Sequence, residues 1–96
     1  KVYVEEVEEA LKRVPGIADA MVFGLPDPRW GSAVTALIEA GDAPDDKAIR
    51  AHLSQDLAVY KQPRTIVRVA AMPRHASGKS DYRQGMELAR ARIGAA

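Results

Sequence analysis

Residues 17–39 read IADAMVFGLPDPRWGSAVTALIE. Within them, 17–25 and 33–39 are apolar runs of the length that a strand needs. The intervening PDPRWG (26–31) places two prolines and a glycine around Arg29 and Trp30, a composition typical of a turn. This part of the chain therefore predicts two successive strands joined by a turn.

Helical spacing begins on the N-terminal side of these strands. Four apolar residues recur three or four positions apart and define a helix face that ends at Pro15-Gly16: Val4, Val7, Leu11 and Val14. On the C-terminal side, Asp45 is the expected N-cap of a second helix, which Pro63 closes. The predicted face of that helix is formed by Ile49, Leu53, Leu57 and Tyr60.

A third strand is predicted at 65–70 (TIVRVA), followed by an aperiodic loop at 71–80. Asp81 is expected to cap a last helix that carries Tyr82, Met86, Ala89 and Ile93. The order helix, strand, strand, helix, strand, helix favours an α+β fold, in which helices pack on a small mixed three-stranded sheet.

The composition fits one domain, because 96 residues at 10.4 kDa can bury one modest core and leave no room for a second. The absence of cysteine excludes disulfide scaffolds, thiolate nucleophiles and thiolate zinc sites. No apolar run approaches the roughly 18 residues of a membrane span. The chain starts at Lys1 without a signal peptide, so we expect a cytoplasmic location and a cut edge of a longer protein at Lys1.

Charge is unevenly distributed along the chain. Residues 1–59 carry six Lys/Arg and eleven Asp/Glu, a net −5, whereas residues 60–96 carry eight and two, a net +6. The basic half suggests a phosphate-bearing partner, and a solvated face that balances the acidic first helix is an equal alternative. Nucleic acid is not expected as a partner, because the whole chain has a net charge of only +1 and five aromatic residues.

Ser77, Gly78 and Lys79 end the polar loop. A phosphate-binding P-loop would need a glycine at position 73, where Pro73 fixes φ and lacks an N–H. Gly78 permits backbone conformations that other residues resist, so Ser77 and Gly78 are a candidate hinge for delivering or withdrawing Lys79. The lysine ammonium can neutralise charge on a phosphate and on an attacking carboxylate. An ordinary solvated loop lysine is the alternative.

Two aromatic turns are further candidate sites. Trp30 is either a core plug, which the sequence slightly favours, or an exposed stacking surface. In YKQPR (60–64), Tyr60 accompanies the cations Lys61 and Arg64 at the predicted helix end. This arrangement suits a nucleotide phosphate, or simply compensation of the helix dipole by Lys61.

No metal site is expected, because His52 and His75 are far apart and neither has a histidine partner at helical spacing. No Ser-His-Asp signature is present in a supporting context. The acidic cluster of the first helix is explained by the positive end of the helix dipole; its members are Glu5, Glu6, Glu8 and Glu9.

Four segments occur in order and at family-like intervals: VYVEEVEEAL (2–11), PGIADAMVFGLPDPRWG (15–31), LAVYKQP (57–63) and MPRHASGK (72–79). Over nearly all 96 residues the chain thereby resembles the C-terminal domain of the adenylate-forming enzymes, which include acyl-CoA synthetases, firefly luciferase and nonribosomal-peptide adenylation domains. LAVYKQP followed by SGK leans toward the acyl-CoA ligases. Val4 replaces the proline usual after the VY pair, and Gln62 stands where some members have a basic residue.

The resemblance implies that residues 1–96 are the mobile lid of a two-step ligase. Its N-terminal domain, absent from this chain, holds ATP, Mg and the acyl pocket; a carboxylic acid and ATP give acyl-AMP, and CoA then displaces AMP. Lys79 matches the adenylation lysine of the family. The residues that match positions lying against CoA in some members are Trp30, Tyr60, Lys61 and Arg64. The VYVEEVE segment matches an element at the inter-domain edge that faces the thiol tunnel.

Under this interpretation the isolated chain is inactive, and its partners are its own N-terminal domain, a carboxylic acid, ATP and CoA. Two alternatives are a stand-alone, non-catalytic α+β interaction module that retains the fold, and the lid of an adenylating enzyme that does not use CoA.

Overall fold

The computed structural model describes residues 2–95, so Lys1, where a cut edge was expected, lies outside the described residues. The elements within that range follow the predicted order: α1 Val4–Lys12, β1 Asp19–Asp27, β2 Gly31–Glu39, α2 Asp46–Leu53, a 3-10 turn Val59–Lys61, β3 Thr65–Val69 and α3 Tyr82–Ala95. The predicted α+β fold is confirmed.

The sheet has β2 at its centre. β1 pairs with β2 in antiparallel register, from Asp19↔Glu39 to Asp27↔Gly31, whereas β3 pairs with it in parallel register over five residues. Parallel neighbours need a crossover connection, and α2 supplies it between β2 and β3. The predicted mixed three-stranded sheet is therefore confirmed.

Successive strand residues point to opposite faces, so the sheet builds two core layers. The layer under α1 and α2 contains Val7, Leu11, Ala20, Val22, Ala36, Ile38, Ile49 and Leu53. The layer under α3 contains Met21, Phe23, Leu25, Leu37, Val67, Met72 and Ala89. Gly85 lets α3 approach closely, because a Cβ at that position would collide with the Met21 side chain. Of the predicted α3 positions, Ala89 is fully buried and Met86 half-buried.

Several predicted boundaries were wrong, among them both ends of β1, expected over 17–25, and the start of β2, expected at 33. The second helix ends not at Pro63 but at Leu53, where the backbone bonds shorten to a tighter turn: the Gln55 N–H donates to His52 O (3.1 Å) and the Asp56 N–H to Leu53 O (2.9 Å). Leu57 still reaches the core, but Tyr60 is 68% exposed and forms no part of the buried face. β1 extends to Asp27, so the turn contains only residues 28–30. The predicted caps Asp45 and Asp81 both accept backbone N–H groups at their helix starts.

Candidate functional site

The turn between β1 and β2 presents Trp30 to solvent. One Asp27 carboxylate oxygen accepts the N–H groups of both Arg29 and Trp30 at 2.8 Å, which closes the turn. Gly31 follows with φ +78°, a left-handed conformation that glycine adopts without strain. Trp30 is 56% exposed, so the core-plug interpretation was wrong and the stacking-surface alternative describes the residue.

Trp30, Tyr60 and Arg64 line one cleft, which has a volume of about 540 Å³. β2 contributes its floor through residues 32–34, and the 3-10 turn contributes Val59 and the exposed ring of Tyr60. The volume falls within the range of small-molecule sites. We call this surface the Trp30 cleft. It brings together three of the four residues that were predicted to face CoA.

The Trp30 cleft is rich in guanidinium groups. The Arg64 guanidinium lies 4.8 Å from the centre of the Trp30 ring and that of Arg29 lies 5.3 Å from it, both within cation–π distance. Among residues 2–95, neither arginine has a carboxylate within 4.0 Å. Their charges are therefore available to an anionic ligand, and Arg29 is a candidate that the sequence interpretation did not name.

Arg50, on α2, also lines the Trp30 cleft. Its guanidinium donates to the carbonyl oxygens of Pro63 (2.7 Å) and Arg64 (3.2 Å), so one side chain fixes the backbone of the turn that follows Tyr60. Charge-assisted hydrogen bonds of this kind are stronger than neutral ones. The only sequence signal for Arg50 is a basic residue near a helix end, a pattern too common to single it out.

Lys61 is directed away from the Trp30 cleft. Its ammonium lies 3.1 Å from Glu6 on α1, and this hydrogen bond together with the Glu6 charge raises the pKa of Lys61. The Lys61 ammonium also lies 6.0 Å from the centre of the Tyr60 ring. In this conformation Lys61 joins the 3-10 turn to α1 and is not among the residues that line the cleft.

A second surface is formed by residues 72–81, which we call the Lys79 loop. Its backbone closes on itself: the Gly78 N–H donates to His75 O (2.9 Å), the His75 N–H donates to Lys79 O (2.8 Å), and Arg74 pairs with Ser80 in an isolated bridge. Gly78 has φ +91°, which a glycine accommodates readily at the end of such a turn. The aperiodic loop of the sequence is thus an ordered hairpin-like turn.

The Lys79 loop is also attached to the body of the domain. The Met72 N–H donates to the Glu39 carboxylate on β2 (2.8 Å). Arg74 joins the loop to the Asp19 carboxylate on β1. Lys79 itself is exposed, and within residues 2–95 its ammonium has no carboxylate within 4.0 Å.

The Lys79 loop and the Trp30 cleft are separate surfaces, since no residue of the loop lines the cleft. The structure therefore brings the predicted CoA-facing aromatics together with Arg64, but it does not bring Lys79 to them.

Glu8 differs from the other glutamates of α1 because it is only 8% exposed. Its carboxylate accepts the Val22 N–H of β1 (2.8 Å) and the Tyr82 hydroxyl of α3 (2.6 Å). Burial and the Glu8 carboxylate raise the pKa of Tyr82 well above its ordinary value. The helix-dipole explanation of the acidic cluster does not cover Glu8, whose role is to join three elements.

The residues described, 2–95, contain no group of three His, Cys, Asp or Glu side chains that could hold a metal ion. His75 lies 3.5 Å from Asp81, and His52 is exposed on α2. Over the same range, the longest apolar helical stretch falls short of what a membrane span requires.

Comparison with known proteins shows the family to which this α+β domain belongs. Residues 6–79 match the family model described as the AMP-binding enzyme C-terminal domain, so the chain belongs to that family.

The chain is 44% identical over 91 residues to the medium-chain acyl-CoA ligase Mig of Mycobacterium avium. This alignment covers 93% of the chain and 16% of that protein. It therefore spans about a sixth of the length of this curated relative. Among solved structures, a Mycobacterium tuberculosis fatty acyl CoA synthetase superposes with a TM-score of 0.87 at 32% identity, over 94% of this chain and 18% of that one. The structure of the amide bond synthetase McbA from Marinactinospora thermotolerans superposes with a TM-score of 0.82 at 32% identity, over 91% of this chain and 18% of that one.

Proposed function

We propose that the chain is the C-terminal domain of an ATP-dependent acyl-CoA synthetase. A larger N-terminal domain binds ATP, Mg and a carboxylic acid, and the enzyme forms first acyl-AMP and then acyl-CoA. The observation that carries this proposal is the Lys79 ammonium on a closed loop of a family member: it is exposed, and no carboxylate of residues 2–95 lies within 4.0 Å of it. The cytoplasm, where ATP and CoA are both available, is the proposed location.

In the first step, Lys79 supplies positive charge. The acid's carboxylate attacks the α-phosphate of ATP and displaces pyrophosphate, so two anionic groups are brought together and negative charge develops on the leaving pyrophosphate oxygen. A preorganised ammonium stabilises that charge best where water is excluded, which requires the N-terminal domain to close against the Lys79 loop. The exposed position of Lys79 supports this role, because the ammonium can enter a site formed by another domain.

In the second step, we assign the Trp30 cleft to CoA. Exposed Trp30 and Tyr60 rings offer faces on which adenine can stack, and Arg64 and Arg29 can pair with the phosphates. Lys61 can join them only after it leaves Glu6. The separation of the cleft from the Lys79 loop supports a lid that rotates between the two steps. Within the lid, Ser77 and Gly78 are proposed as a local hinge of the Lys79 loop.

Replacement of Lys79 tests this assignment in the full-length enzyme. We expect Lys79→Ala to lower the rate of adenylation by about 10²–10³-fold, since one preorganised contact to developing charge is worth about 3–4 kcal/mol. Lys79→Arg should fail as well, because a planar guanidinium does not replace a compact ammonium. Thioester formation from supplied acyl-adenylate should change little.

Pyrophosphate exchange measures the first step alone, and CoA-dependent release of AMP from acyl-adenylate measures the second. Lys47→Ala, at an exposed position of α2, removes the same charge far from the loop in sequence and serves as the matched control. Equal losses in both steps for Lys79→Ala would contradict the proposed role, as would unchanged adenylation.

The superposition on McbA, an amide bond synthetase, favours one second candidate: the lid of an adenylating enzyme whose acceptor is not CoA. The two candidates differ in the second step. Offering CoA and an amine to the full-length enzyme after adenylation decides between them, because only the ligase forms the thioester.

A further inference from the structure

Arg74 makes contacts that extend beyond its own loop. One guanidinium nitrogen donates to the carbonyl oxygen of Gly78 (2.8 Å), the residue next to Lys79. The other guanidinium nitrogen donates to the carboxylate of Asp19 at the start of β1. A single planar side chain therefore connects the tip of the Lys79 loop to the sheet.

Asp19 is well placed to anchor this connection. Its side chain is only 15% exposed, and its second carboxylate oxygen accepts the Ala20 N–H at 2.8 Å. The Lys12 ammonium lies 3.9 Å away from that same oxygen. The carboxylate is thus held by the β1 backbone and faced by two cations, whereas Arg74 is about half-exposed and would otherwise move freely.

We infer that Arg74 and Asp19 form a positioning pair, which fixes the Lys79 loop on β1 and sets where the Lys79 ammonium is presented. The geometry carries the inference, since the two terminal nitrogens of one planar guanidinium hold the Asp19 carboxylate and the Gly78 carbonyl in fixed relative positions. The pair does not touch the reacting atoms. Its catalytic consequence rests on the proposed role of Lys79, but its structural consequence does not.

The structural consequence is measured first, on the 96-residue chain. The His75 and Gly78 amides close the loop, so their hydrogen exchange reports how often it opens. We expect Arg74→Met to accelerate exchange at both amides by about tenfold, the effect of losing roughly one charge-assisted hydrogen bond. Arg74→Lys should restore part of the protection, because an ammonium can still reach one of the two acceptors.

Asp19→Asn is the sharper variant. An asparagine oxygen can still accept the Ala20 N–H, but the amide group no longer offers a charged acceptor to Arg74. Its exchange rates should follow those of Arg74→Met. Arg83→Met is the matched control, because the Arg83 side chain is 92% exposed on α3 and pairs only with Glu87, 3.6 Å away. Unchanged exchange at His75 and Gly78 in Arg74→Met would overturn the inference.

The catalytic consequence is measured in the full-length enzyme. We expect Arg74→Met and Asp19→Asn to lower kcat for adenylation by about 10- to 100-fold, because a displacement of roughly 1 Å at a reacting group costs that much. The KM values for ATP and acid, and the thioester-forming step, should stay near those of the wild type. Equal losses in both steps would show a general structural role and overturn the positioning role. If Lys79→Ala left adenylation intact, the proposed function would fail, while the exchange rates would still decide whether the pair fixes the loop.

Discussion

Trp30 is exposed because its turn is completed by polar contacts that need no buried side chain. Asp27 satisfies two N–H groups, Gly31 takes the left-handed conformation, and the Arg64 guanidinium lies 4.8 Å from the centre of the ring. A large indole left 56% exposed beside two unpaired guanidinium groups is a surface suited to a flat, anionic ligand. These features lead to a prediction that separates the two steps of the reaction.

We predict that Trp30→Ala and Arg64→Ala impair thioester formation more than adenylation in the full-length enzyme. Loss of the stacking face should raise the KM for CoA about tenfold, since base–aromatic stacking contributes roughly 1–3 kcal/mol. Pyrophosphate exchange should remain within about twofold of the wild type, because neither residue belongs to the Lys79 loop.

Arg83→Ala, which removes an exposed arginine from α3, is the control for Arg64→Ala. The assignment of the Trp30 cleft to CoA is contradicted if the KM for CoA stays constant in both cleft variants. It is equally contradicted if pyrophosphate exchange falls in parallel with thioester formation.

At the scale of elements, the Glu8 carboxylate joins α1, β1 and α3. It satisfies the Val22 N–H on the free edge of β1, where an unpaired strand would otherwise expose hydrogen-bonding groups. The Tyr82 hydroxyl completes the network from the first residue of α3. The buried Glu8 carboxylate is fully hydrogen-bonded only while both donors are in place. Losing either donor should therefore weaken the contact among all three elements.

We predict that Tyr82→Phe lowers the free energy of unfolding of the 96-residue chain by about 1–2 kcal/mol at pH 7, the net contribution of one hydrogen bond to a charged group at a partly exposed site. Because the pKa of Tyr82 is raised in the folded state, the unfolded chain loses this proton at a lower pH, near 10. The stabilisation is therefore complete below that pH and declines as the pH rises above it.

Urea unfolding at pH 7 and near pH 11 measures both effects. The difference between the wild type and Tyr82→Phe should shrink at the higher pH, whereas Tyr60→Phe, which alters a 68% exposed ring, should show little difference at either pH. A Tyr82→Phe difference that is the same at both pH values would contradict a role for the proton that Tyr82 shares with Glu8.

The elements that were predictable are those whose signals are local. Prolines, glycines and apolar spacing located the strands, and Asp45 and Asp81 marked two helix starts. The end of α2 was missed because Leu57 continues the apolar spacing into the core, although the helix has already stopped at Leu53. The burial of Glu8 could not be predicted, since its partners lie 14 and 74 residues away in the sequence.

The residues of the candidate site likewise divide into those with a local sequence signal and those whose partners are distant in the sequence. Lys79, Trp30, Tyr60 and Arg64 lie in recognisable motifs, whereas Arg50 has no motif of its own and acts on two carbonyl oxygens of a distant segment. Arg74 lies within MPRHASGK, but its contact with Asp19, 55 residues away, has no signal in the sequence. The direction of Lys61 depends on Glu6, which is 55 residues away, so the sequence could name Lys61 but could not show that α1 holds it.

At the scale of the whole molecule, the chain has a compact core of its own, whereas its two candidate surfaces are open. Its radius of gyration is 12.6 Å, close to the roughly 12.5 Å expected of a compact domain of this length. Its buried clusters cover both faces of the sheet, so the fold does not depend on a second domain for a core. The two candidate surfaces, in contrast, are exposed and separate, and a ligand bound at either of them would need an opposing wall to enclose it.

We therefore predict that the 96-residue chain alone is folded but forms neither acyl-AMP nor acyl-CoA. A small-molecule site usually encloses 70–90% of its ligand, and a single exposed lysine with an open cleft cannot do so. Isothermal titration should find no ATP affinity stronger than about 1 mM.

Adding the separately produced N-terminal domain of the same protein should raise adenylation above that of the N-terminal domain alone, and should not do so when the added chain carries Lys79→Ala. Acyl-CoA formation by the chain by itself would contradict the division of the active site between two domains. No stimulation on mixing, with a linked full-length enzyme that is active, would show that the lid needs its covalent connection to reach an adequate effective concentration.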